Sequence, residues 1–301
     1  MSNLAHLFEL PLHGLREDNP RDFLAVLGLQ RVTSHQWPES EPTLSWSEKT
    51  GQPTIRVDVE MPANWGSQLL DLLSQWATSS SNPFRHGKIE AISQADFHAI
   101  LQTESTCSPF YTRFYPALSS QISNENSGRR SEFIIESANR SVLKGIVDLL
   151  ADHRRPLDVA ADFGGTSPMR EVSNTSRWHP AEFQSAAYTA TDPKENKHCD
   201  RLSLNVFALL GLTFYPVVDI QGGRKTPGIR RISRVTEFSW PVWSVPLGLD
   251  ELASLLHHPA IHQSEVETQG LKALGIYQIW RSRKFCPDGK NDYFSTSNPA
   301  F

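Results

Sequence analysis

A basic segment at residues 221–234, "QGGRKTPGIRRISR", holds the side chains of this sequence that most clearly suggest chemistry. Its five basic residues are Arg224, Lys225, Arg230, Arg231 and Arg234. The glycines allow the backbone to approach a phosphate closely, and the hydroxyl groups of Thr226 and Ser233 add hydrogen-bond donors. Because no acid follows before Glu237 and the chain has a formal net charge of −4, this local positive charge predicts contact with a nucleic-acid backbone.

A smaller basic cluster lies nearer the C-terminus and consists of Arg281, Arg283 and Lys284. We predict that it also binds nucleic acid. The structural alternative for both clusters is a solvated basic face with no ligand. Contacts to five phosphates would make binding strongly salt-dependent, since each contact contributes roughly 0.7–0.9 to the slope of log affinity against log salt.

Carboxylates at helical spacing leave an enzymatic alternative open. Asp158 and Asp162 in "LDVAADFGG" are four residues apart, and Asp148 and Asp152 repeat the spacing. On a helix each pair would share a face and could bind a divalent metal. The alternative hypothesis is therefore a metal-dependent nuclease of a defence system.

Other reactive side chains do not form a recognisable catalytic motif. The histidines of "HHPAIH", at 257, 258 and 262, are interrupted by Pro259 and lack the acid of a metalloprotease motif. His198 and Cys199 suggest a thiol site, but Asp200 beside them is better explained as a helix cap. The sequence contains no phosphate-binding P-loop, helicase motif, nucleophile elbow or dinucleotide fingerprint. We therefore expect a protein without catalytic residues, metal or cofactor.

The composition predicts a globular protein in the cytoplasm. Hydrophobic residues make up 39% of the 301 residues, enough for a large core, and apolar runs such as "FALLGL" are far shorter than the ~20 residues of a membrane span. The N-terminal "MSNLAHLFEL" lacks the pattern of a secretory signal. The cysteines, at 107, 199 and 286, are odd in number and far apart, which favours reduced thiols.

Hydrophobic periodicity in residues 1–104 predicts a ferredoxin-like (βαββαβ) unit. A strand is expected at Leu4–Leu10, followed by a helix that Asn19 or Asp18 caps and Pro20 begins. Gly28 either ends this helix or lets another backbone pack closely. A hairpin around "KTGQP", a helix in "ANWGSQLLDLLSQWA", a strand in "GKIEAI" and a helix in "QADFHAILQ" complete the order.

The sequence after residue 104 predicts a second region of helices and strands. With the first region, this predicts an α+β fold for the whole chain. Residues 105–131 lose periodicity and read as a linker or exposed loop, apart from aromatics that anchor its first half. Residues 132–301 predict a mixed α/β region with an antiparallel sheet. Its helices lie in "EFIIESANRSVLKGIVDLLADHRRP", "RLSLNVFALLGL" and "DELASLLHH", and its strands lie at 186–191 and in "FYPVVDI", "VTEFSWPVW" and "GIYQIWRSRKF".

Several blocks of the chain together resemble a known family. They are similar in content and order to accessory and large-subunit proteins of type I-G CRISPR-Cas systems. The blocks are the opening "LHGLREDNPRDFLAVLGLQRV" with "TLSW", then "SRWHPAEFQSAAYTATDPKEN", "DRLSLNVFALLGLTFYPV" and "VTEFSWPVWSVPLGLDELASLL". The Asn-Gly-Gly block associated with the longer large subunits is missing. The resemblance implies an antiviral subunit of an RNA-guided, Cascade-like complex.

The sequence therefore predicts a non-catalytic subunit of a CRISPR effector complex. It would contact guide RNA or target DNA through the basic residues, and its protein partners would be the other effector subunits. Two alternatives stay open, the metal-dependent nuclease and a structural adaptor that binds only protein.

Overall fold

The computed structural model shows an α+β protein. It describes residues 8–78, 94–107, 109–120, 129–135, 141–152, 156–171, 176–183, 199–220, 223–233, 235–287 and 292–301. Within these ranges the α-helices are α1 (Pro20–Gln36), α2 (Trp65–Thr78), α3 (Gln94–Cys107), α4 (Pro109–Leu118), α5 (Val142–Ala151), α6 (Val159–Gly164), α7 (Leu202–Gly211), α8 (Leu249–Leu256) and α9 (Thr268–Ala273).

The strands of the described ranges form two larger antiparallel sheets and three short pairs. They are β1 (Phe8–Pro11), β2 (Thr43–Trp46), β3 (Pro53–Val57), β4 (Ser119–Ser120), β5 (Arg129–Arg130), β6 (Arg170–Glu171), β7 (Cys199–Asp200), β8 (Val218–Ile220), β9 (Gly223–Lys225), β10 (Ile229–Ile232), β11 (Val235–Trp243), β12 (Ile276–Phe285), β13 (Tyr293–Phe294) and β14 (Asn298–Pro299). The first sheet has the order β1-β3-β2. The second has the order β10-β11-β12-β13, with β14 paired to β12.

The first sheet agrees with the predicted ferredoxin-like unit as far as it is described. Its strands are antiparallel, and β3 lies between β1 and β2, as the first three strands of a βαββαβ unit require. The fourth strand, predicted in "GKIEAI", lies outside the described residues, as does the strand predicted at 186–191.

Helix α1 begins as predicted but does not end at Gly28. The side chain of Asn19 accepts a hydrogen bond from the backbone of Arg21, and Pro20 occupies the first turn. Gly28 lies in the middle of the helix, where a Cβ atom would stand 1.9 Å from the carbonyl oxygen of Phe207 on α7. The close-packing alternative is therefore confirmed. Because α1 is buried from Pro20 to Thr33, its sequence lacks the polar face that would have revealed its length.

The range 105–131, predicted as a linker or exposed loop, contains a packed helix instead. Phe114, Tyr115 and Leu118 of α4 are buried. The backbone N–H of Val217 donates to the carbonyl oxygen of Pro116, at 2.7 Å. Tertiary packing of the aromatic side chains thus overrides the proline and the polar residues that disrupt the sequence pattern.

Helix α5 begins later than predicted, at Val142. Its N-cap is Ser141, whose hydroxyl oxygen accepts from the backbone of Lys144. Phe133 and Ile134, which we expected within the helix, belong to a non-helical segment and are buried. The backbone oxygen of Phe133 accepts a hydrogen bond from the indole of Trp178, at 2.7 Å.

One connected apolar core includes residues from both predicted regions. Phe23 of α1 lies near its centre, with its ring 6.2 Å from Trp46 of β2 and 5.8 Å from Trp240 of β11, between ring centroids. Such aromatic packing joins the first sheet to the second through α1. Among the described residues no helix combines the length and apolar character needed to cross a bilayer.

Candidate nucleic-acid interface

The second sheet brings the two predicted basic clusters together. Strand β11 lies between β10 and β12, so residues 230 and 283 flank Glu237 in register. Residues directly opposite one another in neighbouring strands point to the same face. The sheet thereby combines segments that are fifty residues apart in sequence.

One face of this sheet carries an excess of positive charge. The buried carboxylate of Glu237 lies 2.5 Å from Nη2 of Arg230, 3.3 Å from Nε of Arg283 and 3.9 Å from Nε of Arg281. Three guanidinium groups thus share one carboxylate, which leaves two positive charges uncompensated at this face. Arg281 also donates to the backbone oxygens of residues 263 and 264.

The opposite face is balanced. Arg231 pairs with the buried Glu132, and Nζ of Lys284 lies 3.1 Å from a carboxylate oxygen of Asp292. Successive side chains of a strand alternate between faces, so Arg230 and Arg231 extend from opposite faces of β10. The structure therefore divides the predicted cluster, and only part of it carries net charge.

The side chains of two predicted site residues, Arg224 and Arg234, lie outside the described part of the structure. Arg224 belongs to β9, but its side chain is not among those described, and Arg234 lies outside the described residues. Lys225 is exposed, and the described residues place no carboxylate within ion-pair distance of it.

A cavity of about 680 Å³ lies against β10. Its charged and imidazole lining consists of Lys225, Arg230, Arg231, His257, His262 and Glu132. Glu132 is the acid of this lining, and it is already paired with Arg231. Arg230 is paired with Glu237 and Arg231 with Glu132, whereas Lys225 has no ion-pair partner among the described residues. An anion that entered would meet Lys225 without displacing a protein carboxylate.

Several polar atoms beside the cavity are buried without a hydrogen-bond partner among the described residues. They are Oγ1 of Thr226, Nη1 of Arg230 and Nδ1 of His262. An unsatisfied buried polar group costs free energy and commonly marks a place where water or an ion binds. The two imidazoles are held by backbone oxygens, since Nε2 of His257 lies 2.7 Å from that of Phe214 and Nε2 of His262 lies 3.0 Å from that of Leu256.

Electrostatics at His262 reflect the positive surroundings. Burial lowers the pKa of the His262 imidazole, and the positive charges of Lys225 and Arg230 and the nearby His257 lower it further. The hydrogen bond to Leu256 opposes these effects. His262 is consequently neutral at pH 7 and would gain a proton if a bound anion offset the repulsion.

The carboxylates of the nuclease alternative have structural roles. Oδ1 of Asp158 accepts from the backbone N–H of Ala161, at 2.9 Å, and caps α6. Oδ2 of Asp162 accepts from both the backbone and the hydroxyl of Ser203, at 2.9 and 2.5 Å. Asp148 pairs with Lys144, and Asp152 follows the last residue of α5. Within the described residues no three metal-ligating side chains come together.

We expected Asp200 to cap α7, but the structure shows that it does not. Its carboxylate pairs with the buried Arg21 and accepts from Asn205, at 3.2 Å. Asp162 from α6 satisfies the start of α7 instead, through the backbone N–H of Ser203. His198 lies outside the described residues.

Sequence reasoning missed that two histidines belong to the basic cavity. We considered His257 and His262 as metal ligands, whereas the structure places them beside Lys225 and Arg230. The period-2 alternation of β10 was visible in the sequence and could have shown that Arg230 and Arg231 face opposite ways. Comparison of the chain with protein-family models, with curated proteins and with solved structures gives no match.

Proposed function

We propose that this protein is a non-catalytic nucleic-acid-binding subunit that holds a phosphate backbone at the cavity beside β10. The observation that carries the proposal is Lys225 at that cavity, an exposed cation without an ion-pair partner among the described residues, beside Arg230, which shares the carboxylate of Glu237 with two other arginines. Positive charge that exceeds the internal counter-charge favours a polyanion through the release of its condensed counterions. The net positive face at Glu237 extends this potential across β11 to Arg283.

The sequence resemblance supports a more specific role. A subunit of a type I-G effector complex would need a surface for guide RNA or target DNA and apolar or polar faces for neighbouring subunits. We propose RNA or DNA of such a complex as the ligand, the other effector subunits as partners and the cytoplasm as the location.

Lys225→Ala is the sharpest substitution for this proposal. Lys225 is exposed and forms no described ion pair, so its removal should not impair folding. We expect weaker binding to fluorescent single-stranded RNA and DNA, by roughly three- to tenfold, because one phosphate contact is lost. Fluorescence anisotropy at fixed salt measures the affinity.

Lys49→Ala is the matched control. Lys49 is exposed in the turn between β2 and β3 and loses the same charge outside the second sheet. Equal losses in both variants would indicate a general charge effect and contradict the proposed interface. Unchanged nucleic-acid binding in Lys225→Ala, with loss of complex assembly, would favour the structural adaptor.

A further inference from the structure

Arg31 is a buried cation that forms no salt bridge among the described residues, although the negative charge of Asp250 acts on its guanidinium. It lies on α1 with 6% of its surface exposed, and within the described part of the chain its Nε has no hydrogen-bond partner. Its Cζ lies 3.9 Å from the centroid of the Phe214 ring, a cation–π contact that compensates part of the lost hydration. A buried arginine without a salt bridge lowers the free energy of unfolding, so packing alone does not explain an arginine at this position.

A second arginine faces the same space. Arg31 and the exposed Arg113 of α4 both line a cavity of about 280 Å³. The rest of its lining contains no acid and consists of Pro116, Thr213, Phe214, Pro216, Ala253 and His257. Burial lowers the pKa of Arg31 to about 9, and repulsion from Arg113 adds to the effect, whereas the charge of Asp250 opposes it. Two cations that repel one another across a cavity whose described lining holds no acid are favourably placed for an anion between them.

A larger cavity adjoins the same pair. It measures about 700 Å³, is also lined by Arg31 and Arg113, and has room for a small-molecule ligand. Its lining differs in that it includes the acids Glu41, Asp250 and Glu251. Carboxylates accept hydrogen bonds from hydroxyl and amino groups and repel further phosphates. The two cavities therefore suit the two parts of one molecule.

We propose that Arg31 and Arg113 bind the phosphoryl group of a small phosphorylated ligand, whose hydroxyl- and amino-bearing part occupies the larger cavity. A nucleoside monophosphate has this division of chemistry. Guanidinium forks match the oxygens of a phosphoryl dianion, and two of them balance its charge. The acids of the larger cavity disfavour a polyphosphate chain or a nucleic-acid strand at this place.

This site does not depend on the proposed nucleic-acid interface. Lys225 lines the other cavity and is absent from the lining of these two. Lys225→Ala should therefore leave the binding of a nucleoside monophosphate unchanged, and the two proposals can fail separately.

Isothermal titration calorimetry of the full chain with AMP, adenosine and inorganic phosphate tests the site. We expect AMP to bind at least about tenfold more tightly than adenosine, because adenosine lacks the charged group. Weaker binding of phosphate than of AMP would support a ligand whose remaining part occupies the larger cavity, whereas phosphate as tight as AMP would contradict that part of the proposal. Absence of binding by both AMP and phosphate, or equal affinity for AMP and adenosine, would overturn the proposal.

Two substitutions locate the binding. Arg113→Ala removes an exposed side chain and should weaken AMP binding by about tenfold or more without loss of folding. Arg31→Met should weaken it at least as much, while thermal unfolding of the unliganded variant occurs at an equal or higher temperature, because a buried unpaired charge is removed. Arg16→Ala is the control, since Arg16 is a surface arginine beside Asp18. AMP affinity that survives in both Arg31→Met and Arg113→Ala would contradict the site.

Discussion

At the scale of single residues, the structure separates charges that look alike in sequence. Arg230 and Arg231 are adjacent, yet the first shares Glu237 with two other arginines and the second pairs with Glu132. Glu132, the partner of Arg231, is remote in sequence, because it precedes Arg231 by 99 residues. The presence of a basic cluster was predictable from composition, whereas its pairing depended on strand register and could not be derived from the sequence.

The His262 imidazole should couple nucleic-acid binding to pH. Its pKa is lowered in the free protein, so the neutral imidazole is favoured. The folding stability that this neutral imidazole contributes is lost as the pH falls below the ordinary pKa of histidine. A bound phosphate backbone would offset the repulsion from Lys225 and Arg230 and raise this pKa. Binding would then take up a proton and strengthen as pH falls from 7.5 to 5.5, by up to about tenfold for each unit of pKa difference.

Anisotropy titrations across this pH range provide the measurement. His262→Gln should flatten the pH dependence, and His13→Gln, at an exposed position on the loop after β1, should not. A wild-type affinity that is constant or declines as pH falls would contradict proton uptake at this site.

Asp158 offers a direct comparison between a helix cap and a metal ligand. Asp158→Ala should lower the free energy of unfolding by about 1 kcal/mol, because the N–H of Ala161 loses its acceptor. Asp158→Asn keeps an acceptor and should cost only a few tenths of that amount. Urea denaturation with and without Mg²⁺ checks both values, and stabilisation by Mg²⁺ that Asp158→Asn abolishes would instead support the nuclease.

At the scale of elements, prediction succeeded where a segment was long and its pattern was undisturbed. Strands β11 and β12 and helix α8 were all identified from their periodicity. The buried helix α1 was recognised at its start, through Asn19 and Pro20, but its end was not, because a helix buried on all sides has no amphipathic signal. Helix α4 was missed since Pro116 and the neighbouring polar residues indicated a loop.

The crossing of α1 and α7 depends on two glycines. A Cβ at Gly28 would clash with the backbone of Phe207, and a Cβ at Gly211 would stand 2.0 Å from the carbonyl oxygen of Leu24. Gly28→Ala should therefore separate the helices and lower the free energy of unfolding by about 1–3 kcal/mol or more. Equilibrium denaturation in urea measures the loss.

Gly270→Ala is the matched substitution for this prediction. Gly270 also lies within a helix, α9, but a Cβ there would have no atom within 4 Å. The alanine should leave stability unchanged or raise it by up to about 1 kcal/mol through better helix propensity. Equal effects of Gly28→Ala and Gly270→Ala would show that close packing does not govern the crossing.

At the scale of the whole molecule, long-range polar contacts accompany the shared core. Arg21 of α1 pairs with Asp200, and the indole of Trp240 donates to the backbone oxygen of Glu17, at 2.9 Å. The same integration brings α1, α4 and the basic strand β10 to neighbouring cavities, of which two share His257. The sequence predicted the α+β class, but not the cavities, because their linings combine residues from distant segments.

The salt dependence of nucleic-acid binding tests the central claim most directly. For the wild-type protein and single-stranded RNA, log affinity should fall linearly with log salt, and Lys225→Ala should reduce the slope by about 0.7. Lys49→Ala should leave the slope unchanged. A wild-type affinity independent of salt, or a slope that Lys225→Ala does not change, would contradict a phosphate-binding cavity beside β10.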